Sequence, residues 1–479
     1  MKHKNIFIFL LISITFMSCD KGFEEMNKSE DLVTQPTLDY MIPTIQLTLF
    51  ERSYYTHYTM IARLAQQMHV SNVESGRTRS TTMSHLFEYQ YSNVIKNVVD
   101  VIEKTKNNPD LVNYHAMASI MRAYEISRLT DAYGDVPYKE AGLGYEQQAY
   151  YPKYEPQQEI YKGIIDEVKT AIKSFDASKK MVPASSDIIY KAKIDSWKRL
   201  GNSLLLRFGM KISKADPVLA ETTVKEAFAG GVMQSNDDSF VVFYLPDTYY
   251  STTANGNAAA NKYDYKCTDA FIDLLKNTND PRLSVYVMLP DGNTDPAVQQ
   301  GYKLFQSDNT SKKIVSTPNT KTYANFHSPY VHMSYAETLL LLSEAILNGW
   351  ISGDAKSYFL NGVRANLEFQ RIYGNNGIIP ESEISDYINS LNFDPQKITD
   401  ARNQLYTQMW IMFYFNWNEA FATWRRTGIP NFNEEFSSKI NRRLLYPQSE
   451  WNTNGDNVRE AVARQGDDDV MTRVWWDKK

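Results

Sequence analysis

Between residues 110 and 230, apolar side chains return every three or four positions, which restricts the chain to stacked amphipathic helices more than any motif does. Over 110–130 the positions are Leu111, Tyr114, Met117, Ile120, Met121 and Tyr124, one face of a helix with 3.6 residues per turn. The same period runs through 156–175, 191–214 and 218–229. Pro152, Pro183, Pro217 and the pair Gly230-Gly231 mark the stops. Upstream it covers 36–70 (Met41, Ile45, Leu49, Tyr58, Ile61, Leu64, Ala65, Met68) and 84–106. Downstream it returns at 333–348, 353–370, 380–391 and 399–427, with a short helix at 456–464. No strand–helix–strand alternation accompanies these segments, so the expected class is mainly α. Ala171 to Phe175 and Ala355 to Phe359 fit the Ala-x₃-Phe element of tetratricopeptide repeats, although no regular 34-residue period is visible. The reading is a degenerate helical-repeat scaffold; an irregular helical domain is the alternative.

The texture changes at about 232–330. Ser, Thr, Asn and Gly dominate 247–262, Pro and Gly punctuate 281–301, and β-prone pieces such as "SFVVFY" occur. This predicts a loop-rich insertion with few short strands and one helix near 267–277.

At the start, Lys2, His3 and Lys4 precede an apolar run from Ile6 to Met17, broken only by Ser13 and Thr15. A membrane-spanning helix needs roughly 20 apolar residues, so this run is too short. A basic start, a short apolar middle and small Ser18 describe a secretory signal over 1–18. Cys19 follows at once, and "FMSC" resembles a bacterial lipobox, with Phe16 where Leu is usual. The expectation is acylation at Cys19, a polar tether over 19–35, and one folded domain over 36–479, anchored to the membrane by lipid.

The net charge of -5 offers no basic face for nucleic acid. Cys267 is the cysteine that remains beyond Cys19, so disulfides are not expected. The chain has 32 tyrosines and 8 tryptophans, and in an exported protein some amphipathic rings serve ligands. No dinucleotide, phosphate-loop, nucleophile-elbow or zinc-protease motif occurs. "DGNTDP" at 291–296 begins like a calcium loop but has Pro296 at the turn and Tyr302 where the bidentate Glu belongs. His327 and His332 in "HSPYVH" are poorly spaced for metal, and "DDD" at 467–469 reads as a solvated turn. No catalytic residue, metal ligand or cofactor is nominated.

Several blocks together carry a resemblance: "LTDAYGDVPYKEA" at 129–141, "WKRLGNSLLLRFGMKIS" at 197–213, "MSYAETLLLLSEA" at 333–345, "WNEAFATWRRTGIP" at 417–430, "RRLLYPQSEWNTN" at 442–454 and "VARQGDDDVMTRVWWDK" at 462–478. In order and spacing they resemble the SusD/RagB-like nutrient-binding outer-membrane lipoproteins. One departure is Asp467, where relatives usually carry Gly. The resemblance implies a fold on four tetratricopeptide-like helix pairs, no enzymatic activity, and binding of oligosaccharides or other nutrients. It also implies a partner, a SusC-like TonB-dependent transporter. An exported glycan hydrolase and a purely protein-binding scaffold are the alternatives.

On their own chemistry, Gly134 and Pro137 in "DAYGDVPY" suit a tight turn, with Asp131 and Asp135 bonding local amides. Arg425 and Arg426 beside Trp424 could grip a sugar or carboxylate, but a buried ion pair near a helix end is the favoured reading, and "VWW" at 474–476 reads as the last apolar anchor. Ligand contacts are expected from loops presented by the scaffold. Those loops are 70–91 (Arg77, Arg79, His85, Tyr89, Tyr91), 244–265 (Tyr249, Tyr250, Asn255, Asn257, Tyr263, Tyr265) and 321–330 (Tyr323, His327, Tyr330). Their rings would face sugar C–H groups, and their Asn and Arg would donate to hydroxyls.

Overall fold

The computed structural model describes residues 37–49, 56–70, 78–244, 265–304, 314–324, 328–432 and 440–478. Cys19, the signal segment and the tether lie outside them, as do Arg77, Tyr249, Tyr250, Asn255, Asn257, Tyr263 and His327.

The periodic segments form helices close to their expected bounds: α1 (Leu38–Thr48), α2 (Thr81–Tyr89), α3 (Lys96–Thr105), α4 (Val112–Tyr133), α5 (Gln157–Ser174), α6 (Ile194–Lys211) and α7 (Pro217–Gly230). After the insertion, with its helix α8 (Asp269–Asn277), come α9 (Tyr335–Leu347), α10 (Ala355–Phe369), α11 (Glu381–Ser390), α12 (Ile398–Met412), α13 (Trp417–Thr427) and α14 (Gly455–Gln465). Polar residues set several starts: Ser80, Asp216, Thr268 and Ser334 each accept a backbone N–H of the first turn. Pro217 opens α7, where its missing N–H is no loss. In this stretch α4 lies against α3 and α5, α5 against α6, and α6 against α7. The second half repeats the arrangement with α9 on α10 and α12 on α13, and α13 returns to α4. Buried apolar side chains form one contiguous cluster from Met41 to Trp476. No helix among the described residues is long and apolar enough to cross a membrane.

Two expectations need correction. Segment 399–427 is two helices, because the chain turns at 413–416 with Phe415 at φ 71°. The helical pattern through 70 ends early, since Met68–Val70 is a strand held by pairing with the distant insertion.

Charges are buried where helices meet. Lys211 of α6 lies 2.6 Å from Asp131 of α4 and 2.9 Å from Glu419 of α13. Asp131 also accepts the Tyr161 hydroxyl and the Trp476 indole N–H, at 2.5 and 2.7 Å. It therefore ties together four parts of the chain instead of capping local amides. Asp135 likewise reaches across, accepting the Gln157 N–H at 2.9 Å. Arg207 grips Glu337 with two bonds of 2.6 Å. Arg426 forms the expected buried pair with Glu344, while Arg425 lies over the Trp476 ring at 4.6 Å. Asp468 is not the solvated residue the sequence suggests. Its carboxylate accepts from Arg79, Arg443 and the Trp451 indole at 2.8–3.1 Å, because segment 440–478 folds back over α2.

Candidate functional site

Short two-stranded ladders gather the three candidate loops. Strand β1 (Met68–Val70) pairs antiparallel with β3 (Tyr265–Cys267), placing Val70 opposite Tyr265. Strand β2 (Phe240–Val242) pairs with β4 (Tyr330–Met333), placing Val242 opposite Tyr330. The Tyr302 N–H donates to the Cys267 carbonyl at 2.8 Å, and Asp269 N–H to the Tyr302 carbonyl at 3.0 Å. The described edges of 70–91, 244–265 and 321–330 are thus joined by these ladders, and Tyr302 enters beside them. Sequence separation hid this, since the pairing joins segments nearly two hundred positions apart.

Beneath the ladders lies a layer of rings. Tyr58 packs edge-on to Trp417 at 4.7 Å and beside Tyr265 at 5.9 Å. His57 meets Trp417 at 5.2 Å and Tyr330 at 5.8 Å, and Tyr323 meets Phe415 at 4.3 Å. Tyr265, Tyr323 and Tyr330 are 4%, 1% and 1% exposed, so their rings belong to this core layer and present no face to a ligand. Tyr89 is also buried, stacked parallel to His85. Tyr91 donates its hydroxyl to the Pro137 carbonyl at 2.6 Å, and Arg79 is committed to Asp468 and the Tyr446 carbonyl. The tyrosines were drawn inward by their apolar rings, whereas Arg79 stays exposed and is held by its carboxylate and carbonyl partners. A cavity of about 30 Å³ among Tyr323, Tyr330 and Asn416 has room for water and nothing larger.

The layer is electrostatically quiet. Burial lowers the His57 pKa to about 3, against a hydrogen bond to the Phe415 carbonyl that favours the charged form. His332 lies well below its ordinary value, from burial and then the positive Arg128 and Arg207. Burial raises the Tyr58, Tyr323 and Tyr330 hydroxyls far above theirs. The Cys267 thiol is pushed up to about 12 by burial, which leaves it inert as a nucleophile. Such groups pack and orient; they do not exchange protons at neutral pH. No group of three or more His, Cys, Asp or Glu among the described residues is placed to hold a metal ion.

Where the layer meets solvent, four half-buried residues come together that the sequence did not single out for binding: Arg63, His69, Lys266 and Tyr302. His69 and Lys266 are directly opposite on β1 and β3. The His69 ring stacks on Tyr302 at 4.2 Å with planes 5° apart, and the Lys266 ammonium lies 5.5 Å from the same ring. Burial lowers the Arg63 pKa, opposed by the nearby Tyr302. Tyr302 thus stands at the solvent boundary with His69 stacked on its ring and two cationic side chains close by.

The family described as "Starch-binding associating with outer membrane", a SusD-like family, matches residues 30–447. The chain belongs to this family. Solved structures agree over nearly the whole length. A chitin-binding protein is 29% identical and covers 92% of this chain and 100% of its own, with a TM-score of 0.80. A SusD homolog from Bacteroides fragilis NCTC 9343 is 25% identical, covering 93% and 100%, with a TM-score of 0.77. A chitin-binding SusD homolog from Flavobacterium johnsoniae is 25% identical, covering 92% and 97%, with a TM-score of 0.74. Among curated proteins none matches. The family places the chain among SusD-like nutrient-binding proteins associated with the outer membrane, and the mainly helical fold agrees with that membership.

Proposed function

We propose that this chain is a non-catalytic capture protein that binds an oligosaccharide and delivers it to a SusC-like TonB-dependent transporter. The observation that carries the reading is the convergence of the loop roots on Tyr302, His69, Lys266 and Arg63. A rigid ring layer supports them from below. The chitin-binding relatives make N-acetylglucosamine oligomers the first ligands to try. Acylation at Cys19 would tether the protein to the outer membrane, with the body exposed at the cell surface. The helical scaffold offers the broad rigid surface that a transporter cap needs.

Calorimetric titration with N-acetylglucosamine oligomers tests capture: saturable heat is expected, and no released product after prolonged incubation. Turnover of any glycan would replace this reading with a hydrolase. Isolation of the native membrane complex tests delivery, and a protein recovered without a barrel partner would remove that half. Cys19→Ala tests the anchor, since the variant should leave the membrane fraction.

A further inference from the structure

A cleft of about 1240 Å³ opens elsewhere on the fold, between segment 275–284 of the insertion and helices α11 and α12. None of the four loop-root residues lines it. Its floor is fixed. Arg282 is fully buried and paired with Asp280, and its guanidinium reaches Asn366 at 2.9 Å and Gln408 at 2.6 Å. Gln408 donates in turn to the Tyr387 hydroxyl at 2.8 Å. Buried Leu275, Leu283 and Phe359 complete an apolar base. The insertion wall turns at Asn279, φ 50°, and the Asp280 N–H returns to the Leu275 carbonyl at 2.9 Å.

Above this floor the walls carry exposed side chains with no hydrogen bond or ion pair among the described residues. Asn277 and Asn279 face Glu383, Asp386, Asp400 and Asn403 across the opening. Two residues before Glu383, by contrast, Glu381 is paired with Arg364 at 2.7 Å. Of the two lysines at the cleft, Lys276 is spent on the carbonyls of Ala297 and Gln299, at 3.1 and 2.9 Å. Lys397 is the other, so carboxylates outnumber cations here. The volume exceeds the range of about 300–1,000 Å³ typical of small-molecule pockets, which suits an extended ligand of several rings. Apolar floor, amide donors and uncompensated carboxylates together select for sugar rings that bear ammonium groups.

We propose that this cleft is a second saccharide site, one that takes amino-sugar oligomers with free amines. The proposal rests on the saccharide-capture reading above but concerns separate residues. Titration of a glucosamine trimer, with the N-acetylated trimer as second probe, tests it on the intact protein, on Glu383→Gln with Asp386→Asn, and on Tyr302→Ala. The substituted acids are exposed and isosterically replaced, so an unchanged unfolding midpoint confirms that the fold is kept. Glucosamine binding is expected to weaken about tenfold in the double variant, to weaken at high salt, and to survive Tyr302→Ala. Glucosamine binding that is absent, or that ignores the double variant, overturns the cleft. If the N-acetylated trimer still binds in that case and is lost in Tyr302→Ala, the capture reading stands without it. A protein that binds neither trimer overturns both.

Discussion

Asp131 and Tyr265 are both deeply buried, yet their surroundings are held by different forces. Around Asp131, a lysine, a tyrosine and a tryptophan from three other parts of the chain converge through directional bonds. Around Tyr265, ring meets ring, with Tyr58 as its neighbour and Trp417 and Phe415 beyond. Directional bonds fix how helices stand relative to one another, because one shift leaves a buried charge unmatched. Ring contacts contribute about 0.5–1.5 kcal/mol each beyond area burial and tolerate more geometries. The helical side is therefore the more tightly specified of the two.

The largest effect should come from breaking the first region. Lys211→Met leaves Asp131 and Glu419 buried without their shared cation, and removing one partner of such a pair costs about 3–5 kcal/mol. A marked fall in thermal midpoint is expected; a change below about 1 kcal/mol would erase the contrast between the regions.

Acid should strain both regions. His57 has an ordinary pKa of 6.5 and a folded value of about 3 because it is buried. The unfolded chain then binds the extra proton between those values, so this stability is present above about 6.5 and is lost as pH falls toward 3. At about 1.4 kcal/mol per unit, the loss by pH 4 reaches about 3 kcal/mol for His57. Glu419 is held low by Lys211 and Arg207 despite burial, and it adds to the loss at the acidic end. Glu125 and Glu337, raised by burial, act in the opposite sense. Unfolding midpoints measured from pH 7 to 4 should fall, and His57→Gln should flatten the slope.

At the solvent side of the ring layer, Tyr302→Ala should weaken N-acetylglucosamine oligomers about tenfold, or about 1.4 kcal/mol, with little change in stability. Tyr265→Ala should do the reverse and act first on stability, since its ring is buried. If the two exchange roles, the division between support layer and ligand surface is wrong.

This division explains what the sequence could show. Helices such as α5 and α10 were legible because their faces repeat over many residues. The strand at Met68–Val70 was not, because its partner lies in the insertion and three residues carry no period. Composition could not tell which rings face outward: Tyr265 and Tyr323 look like binding residues and pack inward. Tyr302 was weighed only as a failed calcium ligand. Its neighbours His69 and Lys266 lie far from each other in sequence. Asp468 was misjudged for the same reason, since its cations Arg79 and Arg443 come from distant segments.

The smallest effect concerns that last segment. The resemblance drawn from the sequence sets Gly where this chain has Asp467, so Asp467→Gly tests that departure. Gly466 needs its freedom, with φ 103°, whereas Asp467 is not among the residues at positive φ. Its carbonyl accepts the Thr472 hydroxyl at 2.8 Å and the Asp469 N–H at 2.7 Å, so the backbone here is already held. Glycine would add freedom mainly to the unfolded chain, a cost of about 0.4–1 kcal/mol. The turn also aims Asp468 at Arg79 and Arg443, so a looser turn should weaken the bonded side of the molecule and leave saccharide binding unchanged. A small drop in midpoint with unaltered titration heats is the expected result. A gain in stability would mean that Asp467 is strained where it stands, and that the bonded region tolerates less than its geometry suggests.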